Sequence, residues 1–235
     1  MTTYLLRHAS TQYSADHRVN GDPTVELPLD TAGQVSCRTG AGIISAIEPE
    51  GWVVSSFART SETARRLMGG ADTSVNVEPA LDELDYGQFE GGPYTAYARW
   101  LVVEGPWECP PGARESQRQA IRRMLVGLLR TTASPSPRLV VAHGLLSSVL
   151  RWLGRTLDGI VPALPLFFDE VPCLYLIKIT DAELEAMTSI LFEALEAEER
   201  DTVAAGRWIM RLEDERVLAT FDGLPVQQEE KNSHA

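Results

Sequence analysis

The chain is short of cysteine. Its 235 residues hold three, Cys37, Cys109 and Cys173, an odd number without CxxC spacing. That excludes a disulfide framework, argues against a zinc site and suits a reducing, cytoplasmic setting. No apolar run approaches the roughly 20 residues that span a bilayer, so no membrane partner is expected. The opening Met1-Thr-Thr-Tyr-Leu-Leu-Arg-His8 lacks the basic start and long apolar stretch of a secretory signal, and none is expected. Basic charge is in deficit, with a formal net charge of −12, which argues against a nucleic-acid partner. No internal repeat is present, and no HExxH spacing suggests a metal hydrolase.

What remains is an ordinary globular composition, 44% hydrophobic and 23% charged, long enough for one full core with a possible appendage. Much of the acidity lies beyond residue 180 (Asp181, Glu183, Glu185, Glu193, Glu196, Glu198, Glu199). A local basic pocket can still hold an anion, because nearby arginines outweigh distant, screened carboxylates.

Strand-like and helix-like segments alternate. Strands are expected at Thr3–Leu6, Trp52–Ser55, Val75–Glu78, Arg138–Ala142 and Cys173–Ile179. A helix from Asp30 or Thr31 should turn Val35, Ile43, Ile44 and Ile47 inward. Others are expected over Ser56–Met68, Glu115–Arg130 and from Gly144 to Leu153. This pattern predicts an α/β three-layer sandwich, a mostly parallel central sheet flanked by helices. Residues 1–180 form the main domain. An insertion over 92–112, bearing Tyr94, Tyr97, Trp100 and Trp107, is a substrate lid or simply packs that subdomain. Residues 181–226 read as a C-terminal extension packed on the same domain: a helix over Asp181–Ala205 with a Leu184, Met187, Ile190, Leu191, Leu195 stripe, then a β-hairpin from Trp208–Leu212 and Val217–Phe221. Residues 227–235 read as a disordered tail.

Two histidines end buried-looking strands: Leu5-Leu6-Arg7-His8 and Val140-Val141-Ala142-His143-Gly144. In an open α/β sheet such strand ends converge on one crevice, where ligands bind. Two imidazoles and an arginine there would suit a phosphate, and Gly144 at a helix start could add backbone N–H groups.

These segments, with Ser55-Ser-Phe-Ala-Arg-Thr-Ser-Glu-Thr-Ala64 and Leu81-Asp-Glu-Leu-Asp-Tyr-Gly-Gln-Phe-Glu-Gly91, resemble the histidine phosphatase superfamily, also called phosphoglycerate-mutase-like (branch 1). The four motifs run in order from residue 3 to about 180. The resemblance implies that His8 is phosphorylated by substrate and then hydrolysed, with no cofactor and no metal. It implies that Arg7 and Arg59 hold the phosphoryl oxygens, that His143 stabilises the phosphoryl group, and that Glu83 moves the leaving-group proton, its pKa raised by repulsion from the phosphate. Asn20 is either a phosphate contact or half of an Asn-Gly turn. Ser10 stands where the family often has glutamate, so the role of that acid is either absent or taken by Ser10 or Thr11; Gly144 and Leu145 complete the expected substrate contacts. Ala9 replaces the usual glycine after Arg-His. Arg18, Arg65, Arg66 and His17 are read as solvated charges.

The resemblance implies a phosphomonoesterase acting on a small-molecule ester. The alternatives are a cofactor-dependent phosphoglycerate-mutase-type transferase, which usually has a longer insertion between the acid and the second histidine, and a non-catalytic phosphate- or phosphoprotein-binding module. Monomer and homodimer both stay open.

Overall fold

The computed structural model describes residues 1–69, 74–156 and 163–208. Five strands form one sheet: β1 (Thr2–Arg7), β2 (Gly51–Val54), β3 (Asn76–Val77), β4 (Arg138–Ala142) and β5 (Leu176–Thr180), in the order β3-β2-β4-β1-β5. β1, β2, β3 and β4 run parallel, and β5 closes the edge antiparallel to β1. The expected mostly parallel sheet is the one observed.

β4 shows why. All five of its residues are buried, as expected of a central parallel strand covered on both faces. Its side chains alternate between two cores. Val140 and Ala142 join the cluster under α5 (Gln117–Arg130), α6 (Gly144–Thr156) and α7 (Asp181–Ala205); Leu139 and Val141 join the one under α2 (Thr31–Ser45) and α3 (Ala58–Leu67). Each fully buried Leu or Val is worth roughly 1.5–3 kcal/mol.

Most element ends shift by one to three residues from expectation, and three differences are informative. The third strand shrinks to Asn76–Val77, because it pairs with β2 only at Val53 and Val54. The last strand starts at Leu176, since Leu174 takes a left-handed φ of 59° that breaks the run. Residues 94–104 form a helix, α4 (Tyr94–Glu104), with Pro93 as its N-cap. In α2 the inward face carries Gly33, Cys37 and Ile44, whereas Val35 and Ile43 are 45% and 65% exposed. A residue one position from the inward row is turned about 100° away, which puts Ile43 in solvent.

α7 spans the expected residues, and a capping box fixes its start: Thr180 accepts from the Glu183 N–H, and Glu183 accepts from the Thr180 N–H. It lies on α5, and Leu184, Leu191 and Leu195 are fully buried. There the wholly buried Arg118 pairs with Glu198 at 2.7 Å. Apart from Trp208, the expected hairpin and tail lie outside the described residues. Among the described residues no helix is long and apolar enough to cross a membrane.

Candidate active site

The C-terminal ends of β1 and β4 are adjacent in register, with Arg7 opposite Ala142. The next residue of each strand is a histidine. The His8 N–H donates to the Ala142 carbonyl at 2.9 Å, and the two rings meet edge-on with centroids 5.4 Å apart. Strand pairing alone therefore unites motifs separated by most of the chain.

Carbonyl geometry sets the His8 tautomer. Nδ1 lies 2.7 Å from the Ala9 carbonyl oxygen, an acceptor only, so Nδ1 carries the proton. The Nε2 lone pair is left free to accept, and Arg59 Nε donates to it at 3.1 Å. Burial lowers the His8 pKa well below the usual imidazole value, and the Arg59 charge lowers it further. His8 is thus neutral at physiological pH, the form that can attack phosphorus. Ala9 serves where glycine is usual because the backbone here stays outside the left-handed region.

Arg59 stands in the first turn of α3, its guanidinium 4.1 Å over the ring of Phe57, the helix N-cap. Besides His8 it donates to the Asn20 side-chain oxygen, to the Asn20 carbonyl at 3.1 Å and to His143 Nδ1 at 3.0 Å. Burial lowers its pKa to about 10, with Glu83 opposing the fall, so it stays charged at neutral pH. Asn20 is in turn held by Glu90, which accepts from the Asn20 amide and the Gly21 N–H, both at 2.7 Å.

His143 is fully buried and does not line the cavity surface. Its Nδ1 accepts from Arg59, so Nε2 carries the proton and donates to Ser55 Oγ at 2.8 Å. Burial is the largest cause of its lowered pKa, followed by Arg59 and His8. Ser55 is a partner that the sequence reading missed; it sits just past β2, inside a quoted motif but with no signal of this role.

Arg7 donates through Nη1 to Glu170 Oε1 at 2.7 Å and to the Val171 carbonyl. Glu83 lines the same cavity. Its pKa is raised, chiefly by burial, against the Leu84 N–H and the charges of Arg59 and Arg7. The direction is the expected one, and its chief cause is burial.

The cavity encloses about 210 Å³. Arg7, His8, Arg59, Glu83, Asn20, Thr11, Gly144 and Leu145 all line it. Ser10 does not: its hydroxyl donates to Asp30 at 2.6 Å, away from the cavity. Arg18 and His17, read as solvated, are exposed but stand on the cavity mouth. Of the four aromatics of residues 92–112, Tyr94 and Tyr97 line the cavity, while Trp100 and Trp107 pack against the core. Tyr13, Gln117, Ser148, Phe168 and Glu170 are among the other wall residues and carry no sequence signal. Among the described residues no cluster of three or more His, Cys, Asp or Glu is placed to hold a metal ion.

The model of the histidine phosphatase superfamily (branch 1) matches residues 3–182. A probable phosphoglycerate mutase of Cronobacter sakazakii is 31% identical over 155 residues, covering 62% of this chain and 70% of the relative. A namesake from an Enterobacter species is 30% identical over 90 residues, and there the chain spans 41% of the relative's length. Among solved structures, a putative alpha-ribazole-5'-P phosphatase from Escherichia coli superposes with a TM-score of 0.59 at 22% identity, over 77% of this chain and 91% of that one. A mycobacterial glucosyl-3-phosphoglycerate phosphatase superposes with a TM-score of 0.58 at 21% identity, over 76% and 92%. These structures share the fold.

Proposed function

Because the chain belongs to the histidine phosphatase superfamily (branch 1), we propose that it hydrolyses a small-molecule phosphomonoester through a phosphohistidine on His8, without a metal. The observation that carries this reading is the fixed tautomer of His8: Nδ1 is tied to the Ala9 carbonyl, and the Nε2 lone pair is beside a buried arginine.

His8 Nε2 attacks phosphorus, and the N–P bond forms as the ester P–O bond breaks. Glu83, whose pKa burial raises, gives its proton to the departing oxygen. Arg7 and Arg59 bind the equatorial oxygens, where charge accumulates. Arg59 Nε must then leave His8 for the phosphoryl group, while Asn20 keeps the guanidinium in place. In the second half, Glu83 takes a proton from water, which attacks the phosphohistidine and releases phosphate and neutral His8. Tyr94, Tyr97, Phe168 and Leu145 offer a largely apolar wall to the leaving group.

The test is a rapid quench with an aryl phosphate. Wild type should hold a phosphoryl adduct that survives alkali and is lost in acid, and His8→Asn should hold none and turn over at background rate. Equal turnover in wild type and His8→Asn would exclude the covalent route. Loss of activity in EDTA would exclude metal independence.

The names of the curated relatives favour a second reading, a phosphoglycerate mutase. Interconversion of 2- and 3-phosphoglycerate faster than release of phosphate would select it.

A further inference from the structure

The arginine that ends β1 already holds a carboxylate. Arg7 Nη1 donates to Glu170 Oε1 at 2.7 Å and to the Val171 carbonyl. Its Nε is buried without a partner. The guanidinium rests on Gly144, where a Cβ would come within 3.4 Å of Cζ and Nε. The Arg7 backbone is fixed as well, through Leu174 N–H to its carbonyl and its own N–H to Tyr175, both at 3.1 Å. Arg7 therefore cannot follow a ligand.

Glu170 is the opposite case. Its side chain is 59% exposed, at the mouth of the cavity that holds His8 and Arg59. Its carbonyl accepts from Arg151 at 3.4 Å, and among the described residues its carboxylate is hydrogen-bonded by Arg7. The pair is thus buried on the arginine side and exposed on the acid side. Half in solvent, it is weak enough to be exchanged.

We propose that Glu170 competes with the phosphoryl group for Arg7 and so sets how anionic a ligand must be to occupy the site. This rests on the phosphoryl pocket argued above. A carboxylate carries one negative charge and a phosphomonoester up to two, and both accept from a guanidinium in the same forked manner. Two such anions on one guanidinium repel each other. A dianionic phosphomonoester gains enough from Arg7 and Arg59 to expel Glu170; a monoanionic diester or a carboxylate gains less. Glu170 thereby acts as a selectivity residue that never touches the reacting atoms. If it instead held Arg7 in position for substrate, its removal would weaken phosphate binding, and the sign of the effect separates the two roles.

The measurement is calorimetric binding of inorganic phosphate to the full chain, in wild type, Glu170→Gln, Glu170→Ala and Glu199→Gln. The last removes an exposed acid that pairs with Arg122 on a distant surface and controls for net charge. Both Glu170 variants should bind phosphate about fivefold more tightly, with Glu199→Gln matching wild type. KM for an aryl phosphate should fall by a similar factor with no rise in kcat, a split that a merely structural change would not give. Phosphate bound by wild type and bound equally or less tightly by both Glu170 variants overturns this inference alone. No phosphate binding by wild type overturns it together with the phosphoryl-pocket reading.

Discussion

Arg59 donates to the Nε2 of His8 at 3.1 Å, the atom proposed to attack phosphorus. The same guanidinium reaches His143 Nδ1, so one cation aligns both imidazoles and adds to burial in disfavouring their charged forms. Their electrostatics are coupled through it, which gives the pocket a measurable pH signature.

Both histidines have folded-state pKa values below the ordinary imidazole value of 6.5, mainly from burial and then from Arg59. The unfolded chain therefore binds more protons than the folded one just below that value. Their contribution to stability is complete above it and is lost as pH falls toward the folded pKa values. Each group adds up to about 1.4 kcal/mol per pH unit to the slope. Denaturant unfolding at stepped pH from 7.5 to about 5 should show stability falling with acid, and more gently in His143→Gln. Identical slopes would mean that His143 is not held neutral by the fold.

Glu83 has the reverse shift, and its effect appears in catalysis. Burial raises its pKa, so the proton-donating form persists to higher pH than in an exposed glutamate. kcat/KM for an alkyl phosphate should decline as pH rises through that value. Glu83→Gln should erase the limb and lower the alkyl-phosphate rate by about 10²–10⁴. An aryl phosphate, whose leaving group needs little protonation, should lose far less. Near-normal turnover of the alkyl ester by Glu83→Gln would remove Glu83 from the proton-transfer role.

Much of this pocket could be read from the chain because strand pairing delivers it. Arg7 ends β1, His8 and His143 follow β1 and β4 directly, and apolar runs mark those strands in the sequence. The Arg138–Ala142 strand and the Asp181–Ala205 helix match at both ends, the helix because Thr180 and Glu183 cap it. Ser55 and Glu170 were not legible as site residues. Ser55 meets His143, 88 positions away, through the pairing of β2 with β4, and Glu170 meets Arg7, 163 positions away, from a loop; no local periodicity encodes either partner. Ser10 was misplaced for a related reason: Asp30, the N-cap of α2, captures its hydroxyl.

The Arg118–Glu198 pair makes α7 part of the fold's stability. Arg118 is fully buried and also donates to Gln117 and to the Pro165 carbonyl. Removing one partner strands a buried charge. Glu198→Ala should cost about 3–5 kcal/mol in denaturant unfolding, whereas the double change Arg118→Met with Glu198→Leu should recover much of that loss. A single-variant cost below about 1 kcal/mol would mean that the pair is already solvated.

Gly21 links local packing to the acid. It is not in the left-handed region; glycine is required because an added Cβ would overlap the Leu84 carbonyl oxygen and lie 3.0 Å from the Tyr86 ring. Leu84 follows Glu83, and its N–H is the donor to the Glu83 carboxylate at 3.0 Å. Gly21→Ala must therefore push back the backbone that carries the acid, or pull Asn20 away from Arg59. Overpacking of this kind costs about 1–3 kcal/mol, and the displacement should lower kcat more than that loss of stability predicts at a temperature where the variant remains folded. Gly21→Ser should behave likewise, since the clash is with backbone rather than with a movable side chain. Wild-type kcat in either variant, measured beside its unfolding curve, would show that the 83–86 segment yields freely and that Glu83 is not rigidly placed.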